Sequence, residues 1–133
     1  MTETHDIPPD APIVCTIRPG DDEHAIMNAY RGLFAEAFIS GQRTEWGVRW
    51  TFRQQDDIET RVRQQAAFEQ NCCPFLRMAI TVADGTVVWD VIGPANAAAF
   101  LDEYAQLPQT AFGSVDALRD RTIAAGMTLN DQR

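Results

Sequence analysis

The amino-acid sequence predicts an α/β (α+β) two-layer sandwich, and three observations carry that reading. Four segments alternate apolar and polar residues with a period of two, as half-buried strands do. Other segments repeat their apolar residues every three or four positions, the spacing of one helix face. The junctions carry strong stop signals: Pro19-Gly20, Ser40-Gly41, Pro74, Asp84-Gly85 and Gly93-Pro94. At 133 residues the chain has the length of one domain, enough to bury roughly two thirds of its unfolded surface.

Taken in order, residues 1–12 read as a disordered arm, since Pro8, Pro9 and Pro12 oppose regular structure. Ile13 to Ile17 is a short strand with Ile13, Cys15 and Ile17 on one face. Asp21 or Asp22 caps a helix that runs to about Ser40, with Ile26, Tyr30, Leu33 and Ala37 as its stripe and Phe34 and Phe38 widening it. Glu45 to Arg53 is a strand with Trp46, Val48, Trp50 and Phe52 turned inward. Asp56-Asp57 opens a second helix whose stripe is Ile58, Val62, Ala66, Glu69 and Cys73. Pro74 ends it, because the residue before a proline is pushed out of helical geometry.

Phe75 to Val82 and Thr86 to Ile92 form a hairpin across Asp84-Gly85. A third helix spans Ala95 to about Leu107, and a fourth starts at a Ser114 cap and ends near Gly126. The predicted order is therefore β-α-β-α-β-β-α-α. Right-handed crossovers make the first three strands parallel, and the sheet is a four-stranded mixed one covered by helices on one face. Arg49, Thr51, Arg53, Arg77, Thr81 and Asp90 occupy its other face. Residues 13–107 are the domain proper, and 108–133 an added C-terminal helix with a polar tail.

The net charge of −8 disfavours nucleic acid and anionic membrane surfaces as partners. No apolar run reaches the roughly 20 residues of a membrane span, and the polar, acidic start is not a signal peptide. A cytoplasmic protein is expected. All 11 basic residues are arginine, which excludes lysine nucleophiles and Schiff bases. Three cysteines make no disulfide framework, so free thiols or metal-bound thiolates are expected.

The chemically distinctive segment is Glu69-Gln70-Asn71-Cys72-Cys73-Pro74-Phe75. On a helix Glu69 neighbours the residues three and four further on, which are Cys72 and Cys73. Cys15, on the apolar face of its strand, can supply a third sulfur. Such a set suits Hg(II), As(III), Cd(II) or Cu(I), or Zn(II) with a carboxylate or water as fourth ligand. A Cys15 sulfur within about 4 Å of Cys72 or Cys73 lets them share one ion at sulfur–metal bonds of roughly 2.3 Å.

The electrostatics argue against an unaided redox thiol. Reactive cysteines favour helix N-termini and neighbouring cations, whereas these two end a helix beside a carboxylate. The opposite reading is packing: buried free cysteine behaves as a small hydrophobe. Adjacent cysteines also chelate one ion only with strain, and the paired CxxC of zinc sites is missing. His24 and His5 have no partner motif and read as solvated; Trp46, Trp50 and Trp89 read as core. Arg49, Arg53 and Arg77 read as a solvated sheet face, with anion binding as the sharper alternative.

These residues carry a resemblance. From about Ile13 to Leu107 the chain resembles an uncharacterised bacterial family with a Cys-bearing first strand and a helix ending in E-x-x-C-C-P-F, matched by Cys15 and Glu69 to Phe75. Its members are similar to proteins encoded near mercury-type heavy-metal regulators, which implies soft-metal handling. The strand order is also similar to that of small sulfur carriers, but those place cysteine in C-P-x-P at a helix start. Cys73-Pro74-Phe75 departs from that motif, so sulfur transfer is not carried over.

The expected function is soft-metal or metalloid binding through Cys72, Cys73 and Cys15 with Glu69 in support, a binding role read ahead of an enzymatic one. The alternatives are a thiol redox or transfer enzyme, and a dimerising accessory domain whose cysteines only pack. A homodimer would use the polar sheet face or the C-terminal helix.

Overall fold

The computed structural model describes residues 7–132. Its elements are β1 (Val14–Ile17), α1 (Glu23–Glu36), β2 (Phe38–Arg43), β3 (Gly47–Arg53), α2 (Ile58–Cys72), β4 (Arg77–Ala83) and β5 (Thr86–Ile92). A 3-10 turn (Ala95–Ala97) leads into α3 (Ala98–Tyr104), then α4 (Leu107–Thr110), α5 (Val115–Ala124) and β6 (Thr128–Asp131). The α/β class holds, but the predicted order does not.

Two strands escaped the sequence pattern. Residues 38–43, assigned to the end of the first helix and the loop after it, form β2 and pair antiparallel with β3. The helix stops because Ala37 leaves helical geometry, its N–H closing on the Leu33 carbonyl while its own carbonyl accepts from Arg53. Beyond it Ser40 and Gly41 are poor helix formers, and Gly41 lies where a Cβ would meet Trp50 at 2.9 Å. The polar tail also forms a strand: β6 pairs in parallel with β1, with Cys15 opposite Leu129.

The strand directions are corrected as well. The main sheet has the order β2-β3-β5-β4 with every pairing antiparallel. The expected parallel strands and mixed sheet fail because β1 leaves this sheet for β6, and because the unforeseen β2 lets β3 return as a hairpin. Asp84 and Gly85, with φ of 53° and 77°, make the two-residue turn that joins β4 to β5 as expected. Gly47 is required where β3 meets β5, since a Cβ there would stand 1.7 Å from the Val91 carbonyl oxygen.

One face of the sheet is sealed. Val48, Trp50, Phe52, Val87, Trp89 and Val91 are inaccessible to solvent. Tyr30 and Phe34 of α1 and Tyr104 of α3 pack their rings on Trp50, with centroids 5.1–6.4 Å apart, and Tyr30 also stacks on Trp89. Trp46, expected among them, lies before β3 and is 43% exposed. Across the sheet, Arg49 forms a two-point ion pair with Asp90.

Within the segment read as a disordered arm, Ile7 is buried and Asn96 bonds the carbonyls of Pro9 and Ala11. His5 lies outside the described residues. Among the described residues, no helix is long and apolar enough to cross a membrane.

Candidate functional site

The site is built from the two ends of the chain and the end of α2. Strand alternation buries Cys15 and Ile17 while Val14 and Thr16 stay half-exposed. Backbone pairing to β6 fixes the height of Cys15. On the other side, α2 brings Cys72 inward on its last turn, and Cys73 caps the helix with its N–H bonded to the Glu69 carbonyl at 2.7 Å. Pro74 forbids another turn, and the Gln70 side chain ties the Leu76 carbonyl, fixing the exit.

The three sulfurs converge. Cys15 and Cys73 sit at disulfide-bonding distance, with Sγ atoms 2.23 Å and Cα atoms 4.4 Å apart, across 58 residues of sequence. Cys72 keeps a free thiol, and all three Sγ atoms lie within 4.8 Å of one another. The expectation of three free or metal-bound thiols is thus corrected in one respect: two of them are placed to bond each other. The sequence could not give this, because residues 58 positions apart meet only through the packing of β1 against the end of α2.

Glu69 is half-buried as a residue, but its carboxyl head points inward. Tyr30 donates its hydroxyl to Glu69 Oε2 at 2.5 Å, and the Tyr30 and Tyr104 hydroxyls are 2.9 Å apart. Glu69 Oε1 stands 3.9 Å from the Cys73 sulfur. Loss of water pushes the Glu69 carboxyl up to about 7, and the Tyr30 hydrogen bond offsets this only in part. Burial first, then the Glu69 charge, holds both tyrosines well above the usual phenol range, so they remain neutral donors. The Cys72 thiol is pushed up to about 12, by burial and then by Glu69, against a smaller opposing hydrogen bond from the Thr16 backbone.

A cavity of about 140 Å³ opens onto this cluster. Glu69, Tyr30 and the three cysteines form one part of its lining, and the rest is mostly aliphatic and aromatic, with Glu23, Glu103, Arg119 and Thr122 among it. Near its mouth Arg119 of α5 pairs with Glu23 at 2.5 Å, each side chain partly exposed. Val115, Leu118 and Thr122 of α5, with Met127 and Leu129 around β6, complete the wall. Residues 115–129, in the segment read from sequence as an added helix and tail, therefore contribute to the cavity wall.

Chemically, the reduced cluster offers three soft sulfur donors and one carboxylate. Two sulfurs on one ion at bonds of roughly 2.3 Å stand at most about 4.6 Å apart, a spread close to that observed. With Cys15 and Cys73 bonded to each other, only Cys72 keeps a thiol. The remaining candidates do not converge on a site. Arg49 pairs with Asp90, Arg53 bonds the Glu36 carbonyl, Arg77 bonds the Pro74 and Leu76 carbonyls, and His24 is exposed.

Sequence reasoning missed Tyr30, Tyr104 and the C-terminal wall. Tyr30 sat in the α1 stripe and read as core. The signals for the wall were the spacing of Val115, Leu118 and Thr122 by three and four, and Met127 and Leu129 by two. Fold and site define an α/β domain with a buried cysteine cluster beneath an apolar cavity. Comparisons with protein-family models, with curated proteins and with solved structures find no match.

Proposed function

We propose that this protein holds a soft metal or metalloid ion on Cys15, Cys72 and Cys73, with Glu69 beside them. The convergence of three sulfurs within 4.8 Å carries the reading. In it, the Cys15–Cys73 pair is the oxidised, closed form, and a small-molecule or protein dithiol reduces it to two thiols before an ion binds. A cation then displaces protons that burial otherwise holds on the sulfurs. The ion is Hg(II), As(III), Cd(II), Cu(I) or Zn(II), since sulfur-rich sites favour these.

The test is titration of the reduced protein with Hg(II) or Zn(II) under anaerobic conditions, recording sulfur-to-metal charge-transfer absorbance. One ion per chain is expected, with loss of affinity in Cys15→Ala, Cys72→Ala and Cys73→Ala. Absence of thiol-dependent binding at micromolar ion would sink the reading.

A second reading is thiol–disulfide exchange, favoured by the disulfide-distance pair with a third thiol beside it. It needs Cys72 as an ionised attacking group, whereas burial and Glu69 push that thiol up to about 12. Alkylation of Cys72 against pH separates the two: a thiolate forming near neutral pH supports exchange, and slow reaction throughout supports metal binding.

A further inference from the structure

We infer that the cavity takes the organic substituent of an organometal ligand, so that the protein's preferred cargo is R–M, with R an alkyl or aryl group up to phenyl size. The inference rests on the soft-metal reading above and names its ligand class. A bare ion needs only the donor atoms and the space between them. Here about 140 Å³ of space continues outward from the sulfurs, walled by Ile26, Phe68, Phe100, Leu107, Leu118 and Leu129. An apolar cavity of roughly 150 Å³ is large enough to bind benzene. These six side chains offer no ligand to an ion, and covering them gains free energy from apolar surface taken out of water.

The soft donors are clustered within 4.8 Å of one another in a cavity whose lining is otherwise mostly apolar, a combination that suits a molecule such as phenylmercury. Binding is a ligand exchange on the reduced protein: R–Hg–X and a cysteine thiol give R–Hg–S–Cys and HX. The mercury–X bond breaks, the mercury–sulfur bond forms, the thiol proton leaves with X, and no electrons are transferred.

The reduced protein is titrated with methyl-, ethyl- and phenylmercury chloride and with Hg(II), each in competition with glutathione so that intrinsic mercury–sulfur strength cancels. Affinity relative to glutathione is expected to rise about fourfold from methyl to ethyl, the burial of one methylene, and to rise again for phenyl. Leu118→Trp, which fills the cavity from half-exposed α5, should weaken phenylmercury at least tenfold and change Hg(II) by less than threefold. Equal relative affinities for the three organomercurials overturn the inference, and the wild-type series alone decides it should the variant misfold. A variant that folds yet binds phenylmercury like wild type also overturns it. If Hg(II) itself shows no thiol-dependent binding, the soft-metal reading fails instead.

Discussion

Trp89 and Cys15 are both nearly closed to solvent, but their surroundings differ in kind. Around Trp89 the rings of Tyr30 and Trp50 fill the space between sheet and helices, with centroids 6.1 and 5.1 Å away. Around Cys15 three sulfurs, a carboxyl and two hydroxyls border a cavity. Close packing is the default of protein interiors. The surroundings of Cys15 depart from that default, leaving open space and gathering groups that are costly to bury. Tyr30 belongs to both regions, its ring in the packed half and its hydroxyl on Glu69.

The contrast can be broken most forcefully on the packed side. Trp89→Ala should cost about 3–5 kcal/mol, as large aromatic truncations in cores do, read by urea denaturation. A loss under 1 kcal/mol would mean that the sheet side is no better packed than the cavity side. Next in size is the Cys15–Cys73 link. Closing a 58-residue separation stabilises by about 4 kcal/mol on chain-entropy grounds, with strain able only to reduce that figure. Wild type should lose most of this on reduction, whereas Cys15→Ser should be indifferent to reductant.

The third test concerns pH. The Glu69 carboxyl is raised to about 7 in the fold against roughly 4.3 in an unfolded chain. Between these values the folded protein holds a proton that the unfolded one has released. Stability therefore falls as pH rises through this window, by up to about 1.4 kcal/mol per unit. Glu69→Gln should flatten that slope, and an unchanged slope would place its origin elsewhere. The smallest effect is expected at the cavity wall, where Leu118→Ala should cost about 1 kcal/mol or less in stability. A larger loss would show that α5 is packed like the sheet side.

Local signals were legible from the sequence and long-range ones were not. Asp22, Ser114, Pro74 and Asp84-Gly85 each act within a few residues, and each sets a cap, a stop or a turn where expected. The inward alternation of Val48, Trp50 and Phe52 also survived. β2 did not, because Ala37 and Phe38 continue a helical stripe and only pairing with β3 settles the matter. β6 is short, and its partner lies at the far end of the chain. For the site, Glu69 one turn before the cysteines was readable, since one helix sets that spacing. The meeting of Cys15 with Cys73 depends on the long-range packing of β1 on α2 and was not.

The β1–β6 pairing has a consequence for the order of assembly. Val14 and Thr128 are register partners 114 residues apart, and so distant a contact carries a high closure cost early in folding. The β1–β6 pairing is therefore expected to form late in folding, and until it does the strand that carries Cys15 lacks its hydrogen-bonded neighbour.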